Sequence, residues 1–247
     1  MVQGASEALP ISSTAHLGMV RDMRGDHLDL DAAKSLDVAL HLGSLAGPAM
    51  ALRGRGPIVP TLVAATLASL PAAIVGAAMR PTIIRRLGKP VPTAVLGAAA
   101  AFAVWRVDRR SVPGRAARLE DLSLDDLMAM GVAQAAALVP GVSRSGVVYA
   151  AGRSRGLDRD SAATAAIAMS VPVIAGAGLL TTVSGSARLR DVGASGAVGT
   201  AVAAGAAALA GPYAHVALTK GSGRFAIYRA ALACAVLSQQ RHRKEVP

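Results

Sequence analysis

The sequence predicts an all-α integral membrane protein, a multi-pass bundle of helices, and three observations carry that expectation. The first is composition. Of 247 residues, 53% are apolar and only 17% charged, with a mean hydropathy of +0.45, against about 25% charged in an ordinary soluble domain. The second is three long uncharged runs. Ile58–Met79 has 22 residues, Ala162–Ser184 has 23, and Val192–Leu218 has 27 with one histidine. Each can cross a hydrocarbon core of about 30 Å at 1.5 Å per residue. The third is that the basic residues gather in short connectors between apolar stretches, as they do beside membrane helices. With 55 alanines, Ala stands where Leu, Ile and Phe usually do.

Taken in order, the chain opens without the basic and apolar regions of a signal peptide, and Glu7 lies in its first ten residues. It is therefore expected to begin inside its first motif, with any preceding helix missing or encoded upstream. Leu36–Leu52 is a span candidate that contains Asp37 and His41. Ile58–Met79 follows Arg53 and Arg55, and Arg80 to Lys89 separates it from Val91–Trp105. Arg106 to Arg118 leads to Leu127–Val142. Ala162–Ser184 and Val192–Leu218 flank Arg188 and Arg190. Lys220 and Arg224 precede Phe225–Ser238, and Arg241–Lys244 closes the chain. A single cysteine, Cys234, excludes a disulfide scaffold. The net charge of +11 does not indicate nucleic-acid binding, because aromatics for base stacking are only 2% and the charges are dispersed among apolar runs.

Short strings repeat along the chain. Leu28-Asp29-Leu30-Asp31-Ala32-Ala33 recurs as Leu157-Asp158-Arg159-Asp160-Ser161-Ala162, and Ala46-Gly47 as Ala175-Gly176. Leu9-Pro10-x-x-Ser13 recurs as Val139-Pro140-x-x-Ser143. The offsets are 129 and 130, so a single membrane domain over 1–247 is expected to contain repeat halves of about 1–105 and 127–247. Duplicated halves commonly form a site at their interface from discontinuous helices.

Two motifs carry the candidate chemistry. The first runs from Gln3 to Leu17, QGASEALPISSTAHL. Gln3 and Glu7 share a helix face at i, i+4. Pro10 breaks that helix, and Ser12, Ser13 and Thr14 suit the cap of the next one, which carries His16. The second is PGVSRSG, Pro140 to Gly146. Pro140-Gly141 breaks the chain, Ser143 or Ser145 caps the next helix, and a helix N-terminus attracts anions. Arg144 adds a bidentate fork for phosphate. The plainer alternatives are a surface cap with Glu7 solvated, and an Arg144 that snorkels to the interface. Combined, the two tips supply an arginine clamp, hydroxyls, and an acid–base pair for a phosphate ester or anhydride.

These segments resemble the undecaprenyl-diphosphatase family (BacA/UppP, bacitracin-resistance type), whose patterns are (E/Q)GxTEFLPxSSxGHL and PGxSRSGxT. Leu40-His41-Leu42-Gly43, the Gly156–Arg159 and Val171–Ala177 segments, and Phe225-Ala-Ile-Tyr-Arg229 also match, so the resemblance covers most of the chain. It implies inverted repeats with two re-entrant broken-helix elements in a bacterial plasma membrane. It implies hydrolysis of undecaprenyl diphosphate to the monophosphate, which recycles the peptidoglycan lipid carrier. By the resemblance, Glu7, Ser13, His16 and Arg144 are catalytic. Gln3, Ser12, Gly141, Ser143 and Ser145 bind substrate, and Glu7 is tied to a divalent cation, Mg²⁺ or Ca²⁺. The implied partners are the prenyl diphosphate lipid and the membrane, with room for a homodimer and no nucleic acid. The chain departs from the patterns at Ser6, Ala8, Ala15, His41 and Val148. Val148 replaces a Thr, which is expected to remove one hydroxyl from the phosphate shell. A prenyl-phosphate binding or flipping protein without hydrolysis is the alternative. An acid-phosphatase-like (PAP2) reading fails, since it needs a His where Ala150 stands.

Overall fold

A computed structural model describes residues 1–9, 11–13, 16–17, 20, 30–111, 114–185 and 192–245. Pro10, Thr14, Ala15, Leu28, Asp29, Arg188 and Arg190, all used in the sequence reading, lie outside the described residues. The described chain is helical and holds no strand, only an isolated bridge between Arg115 and Leu157. The helices are α1 (Val2–Ala8), α2 (Leu30–Gly43), α3 (Ala46–Leu52), α4 (Ile58–Leu87), α5 (Pro90–Arg110), α6 (Leu124–Ala135), α7 (Arg144–Ser154), α8 (Arg159–Ala168), α9 (Ser170–Val183) and α10 (Gly193–Glu245). Ser13, His16, Leu17 and Val20 are helical as well.

Five stretches are long and apolar enough to cross a membrane: Ser35–Leu52, Ile58–Leu87, Pro90–Arg110, Arg159–Val183 and Gly193–Lys220. Their packing is that of a bundle in lipid. On α4 the large residues Val59, Val63, Leu67, Leu70 and Ile74 face outward, while Thr61, Ala64, Ala65, Ala68, Ser69 and Ala72 are buried. Burying large side chains gains nothing where the solvent is itself apolar, so small residues line the contacts and let the backbones approach. This accounts for the alanine content. The protein is an all-α, multi-pass membrane bundle.

Two expected spans take other forms. Leu127–Val142 is not one helix: α6 ends at Ala135, a 3-10 turn covers Ala136–Leu138, and the chain breaks at Pro140-Gly141 before α7 starts. α6 and α7 pack against each other as a hairpin. Phe225–Ser238 does not stand alone. It continues α10, a helix of 53 residues and so roughly 80 Å long. The connector from Lys220 to Arg224 contains no proline to stop it. Ser222 within that connector is anchored to Asp108 of α5 at 2.9 Å. α10 packs along α5, α3, α1 and α2 and so backs the N-terminal motif.

The caps follow the sequence. The Ser123, Ser143 and Asp158 side chains accept from the backbone N–H groups of Asp126, Gly146 and Ser161, starting α6, α7 and α8. The main core surrounds α7 and α8, with Met130, Val148, Tyr149, Leu157 and Met169 wholly enclosed.

Candidate active site

Glu7 sits on the last turn of α1, its side chain 6% exposed. One carboxylate oxygen, Oε1, accepts from Arg144 Nη2. The other, Oε2, accepts from Ser13 Oγ, and from Gln3 Nε2 at 3.2 Å. The two motifs, more than 130 residues apart, thus share one carboxylate. Gln3 reaches Glu7 because four residues of helix separate them. Ser13 reaches it because the chain turns back between them. Ser12 in that turn has φ 65°, a left-handed conformation that is uncommon for serine.

On the second tip, Ser143 caps α7 and its hydroxyl lies 3.4 Å from that of Ser145. Gly141 has φ +94°, and a Cβ there would collide with the Thr93 carbonyl oxygen. Only glycine permits both the turn and this approach. Of the six buried polar atoms without a hydrogen-bond partner among the described residues, two are here: Arg144 Nε and Gln3 Oε1. One is a donor and the other an acceptor, and they flank the Glu7 carboxylate. Such groups are rare in folded proteins and call for an explanation.

His16 is placed differently. Its Nδ1 donates to the Ser12 carbonyl at 2.8 Å, which leaves Nε2 to accept from the Tyr228 hydroxyl at 2.5 Å. The two rings stack with centroids 5.7 Å apart. Its hydrogen bonds among the described residues go to Ser12 and Tyr228, not to Glu7 or Arg144. The site thus holds a carboxylate–serine–arginine cluster with a histidine–tyrosine pair beside it.

Three further residues meet the site, and the sequence reading assigned none of them a role. His41 Nε2 lies 3.8 Å from Glu7 Oε2. Tyr228 holds His16. Arg229, 2% exposed, donates to the Ile11 and Gly141 carbonyls at 2.9 and 2.8 Å. The signal for these was the match of short segments far from both motifs; nothing in their spacing reveals the contacts. A small cleft between α5, α7 and α10 opens beside Ser143 and Arg229, lined also by Gly97, Val104, Val147 and Phe225. Val148 does not line it. That side chain is wholly buried in the main core, so the hydroxyl expected from the family pattern would sit among core side chains.

The arrangement can bind an anion at the start of α7, deliver a hydroxyl whose proton already points at a carboxylate, and place an imidazole one turn away. Comparison with known proteins identifies its relatives. The family model described as bacitracin resistance protein BacA matches residues 1–235. The chain is 31% identical over 153 residues to a protein named undecaprenyl-diphosphatase 2 in Paramagnetospirillum magneticum, covering 58% of each. It is 32% identical over 154 residues to an undecaprenyl-diphosphatase of Laribacter hongkongensis, covering 58% of this chain and 56% of that one. It is 33% identical over 162 residues to undecaprenyl-diphosphatase 1 of Paraburkholderia xenovorans, with the same coverage. The chain thus spans little more than half the length of the curated relatives it matches.

Proposed function

The chain belongs to the bacitracin resistance protein BacA family, and from that premise we propose that it is a membrane phosphatase converting undecaprenyl diphosphate to undecaprenyl phosphate and inorganic phosphate. The observation that carries the proposal is the single carboxylate, Glu7, bound at once to the Ser13 hydroxyl and the Arg144 guanidinium. A protein that only bound an anion would have no use for a carboxylate between the clamp and a hydroxyl.

The geometry supports one order of events. Arg144 is engaged by Glu7, and its Nε is unpartnered among the described residues. A terminal phosphoryl group arriving at the start of α7 takes over the guanidinium, helped by the Ser143 and Ser145 hydroxyls and the free N–H groups of the helix. Glu7 loses its counter-charge and becomes a stronger base toward the Ser13 proton, which it already accepts as a hydrogen bond. Ser13 Oγ attacks the terminal phosphorus, the bond from that phosphorus to the bridging oxygen breaks, and undecaprenyl phosphate leaves with that oxygen. Water then cleaves the phosphoserine and releases phosphate. The His16 imidazole takes the proton of that water at Nε2 once the Tyr228 hydroxyl has released that nitrogen, and Glu7 returns its proton to Ser13 Oγ. Ser12 and Gly141 shape the two turns and bring the tips to the substrate. In the membrane these tips form the re-entrant elements of two repeat halves.

Gln3 and Glu7 fit a divalent cation, Mg²⁺ or Ca²⁺. Gln3 Oε1 is a buried, unpartnered acceptor beside a carboxylate. No cluster of three or more His, Cys, Asp or Glu occurs among the described residues, and Mg²⁺ commonly takes only one or two protein oxygens, with phosphate and water completing its shell. Such an ion, held by Gln3 and Glu7, would offset diphosphate charge.

The test is phosphate release from undecaprenyl or farnesyl diphosphate by purified protein in detergent, with and without Mg²⁺ or Ca²⁺. Arg144→Lys keeps the charge and loses the fork, so turnover should fall by about 10²-fold or more. Wild-type protein that binds the prenyl diphosphate without releasing phosphate would replace this reading with binding or transport.

A further inference from the structure

Arg229 lies on α10, outside both motifs, and is 2% exposed. A buried guanidinium normally faces a carboxylate. Among the described residues this one makes no ion pair; its two terminal nitrogens go to the carbonyls of Ile11 and Gly141, at 2.9 and 2.8 Å. Those carbonyls occupy the same position in the two repeated strings, the residue after the proline in Leu9-Pro10-Ile11 and in Val139-Pro140-Gly141. One side chain therefore holds the equivalent point of both helix breaks. Carbonyls at a broken helix lack intrahelical partners, and Arg229 supplies the donors. Room has been made for it: a Cβ at Gly97 of α5 would collide with Arg229 Nη2 and lie 2.7 Å from the Gly141 oxygen. The neighbouring Tyr228 holds His16 from the same turn of α10.

We propose that Arg229 is a positioning residue that clamps the two broken-helix tips together and so sets the distance between Ser13 and Arg144. It touches no reacting atom in this scheme and acts through two backbone carbonyls. Nothing but a planar fork does this: a lysine ammonium is a compact point charge and would have to choose one carbonyl. The catalytic pair comes from different tips, so loosening the clamp alters their alignment while leaving each tip's own groups intact. A misplacement of about 1 Å can cost roughly 10²-fold in rate. The inference rests on the phosphatase reading for its kinetic consequence, but not for its structural one.

The experiment compares wild type with Arg229→Lys, Arg229→Ala and Gly97→Ala, as full chains in detergent. Gly97→Ala displaces the guanidinium without altering it, and guards against a failure of the arginine variants to fold. Amide hydrogen exchange is read at Ile11–Ser13 and Gly141–Ser143, together with kcat and KM for farnesyl diphosphate. The expected result is faster exchange at both tips together in every folded variant. It is accompanied by a kcat lowered about 10²-fold with little change in KM. Millimolar guanidinium should partly restore Arg229→Ala. Unchanged exchange at both tips, or a change at one tip only, overturns the clamp whatever the kinetics. Wild type that hydrolyses nothing overturns the phosphatase reading and leaves the exchange result to decide the clamp by itself.

Discussion

Glu7 and Asp108 are both buried among arginines, and their surroundings differ. Asp108 of α5 is 3% exposed and accepts from the Tyr149 hydroxyl at 2.7 Å and from Arg153 Nε at 3.2 Å. Arg159 donates from two nitrogens at 3.1 and 3.2 Å, and Ser222 at 2.9 Å. Five donors fill the roughly four lone-pair sites of a carboxylate. The groups come from α5, α7, α8 and α10, so the cluster fastens four helices and has no capacity left. Glu7 accepts from three donors, Arg144, Ser13 and Gln3, and so keeps lone-pair capacity. Beside it stand a donor and an acceptor with no partner among the described residues. The contrast gives a rule for reading a buried ion pair. Where every lone pair is used, the pair fixes architecture; where polar capacity is left over, the pair is arranged for something that arrives.

The most decisive experiment removes each negative charge in turn without changing its shape. Glu7→Gln should lower the rate of phosphate release by about 10²–10⁴-fold, the usual worth of acid–base help, with the melting temperature in detergent close to that of wild type. Asp108→Asn should do the reverse. It leaves Arg153, 4% exposed, and Arg159 without their counter-charge. Breaking a buried pair in this way costs about 3–5 kcal/mol, so the melting temperature should drop sharply while the folded fraction keeps its turnover. If Asp108→Asn instead abolishes activity at full stability, the division between scaffold and site is wrong.

Legibility in the sequence follows the same division. Glu7, Ser13 and Arg144 were visible because a proline break followed by capping hydroxyls has a local physical signature. The membrane bundle was visible because uncharged length is a local property too. Asp108 was not visible, since it lies at the end of an apolar stretch beside Arg109 and Arg110 and reads as part of a basic connector. Arg229 and Tyr228 were hidden for a similar reason: their partners are 88 to 218 residues away. The Pro140-Gly141 break is legible from those two residues, but the earlier end of α6 at Ala135 is not, because Leu127–Val139 is uncharged and hydropathy does not register where a helix stops within it.

A third carboxylate extends the contrast to pH. Asp126, at the start of α6 and outside the candidate spans, accepts from Arg115 Nη2 and Arg155 Nε, each at 2.7 Å. Burial pushes its pKa up. The hydrogen bond and charge of Arg155, the Ser123 cap and the charge of Arg115 outweigh burial and hold it below the ordinary carboxylate value. A depressed folded-state pKa stabilises above the unfolded value of about 3.9, and that stability is lost as pH falls through the folded value. Wild type should therefore melt higher than Asp126→Asn at neutral pH. The two should converge below about pH 4. A gap that persists undiminished in acid would show that Asp126 stabilises by shape and not by charge.

The smallest effect is expected at Val148. The family pattern places a threonine there, and a hydroxyl facing the phosphate would speed a chain that lacks it. The structure argues otherwise: Val148 is wholly enclosed with Tyr149, Leu157 and Met169, whereas its neighbours Gly146 and Val147 line the cleft. Val148→Thr is nearly isosteric and puts a hydroxyl into apolar packing. A buried hydroxyl without a partner costs about 1–3 kcal/mol in proteins, and a threonine in a helix can recover part of that by bonding back to the carbonyl four residues earlier, that of Arg144. The expected outcome is a slight fall in melting temperature and an unchanged rate of phosphate release. A hydrogen bond to a charged group is worth roughly 1.5–3 kcal/mol, so a threonine that reached the phosphoryl group would raise the rate about ten- to a hundredfold instead. That gain, measured beside Glu7→Gln, would move position 148 from the core that holds α7 to the site that α7 presents.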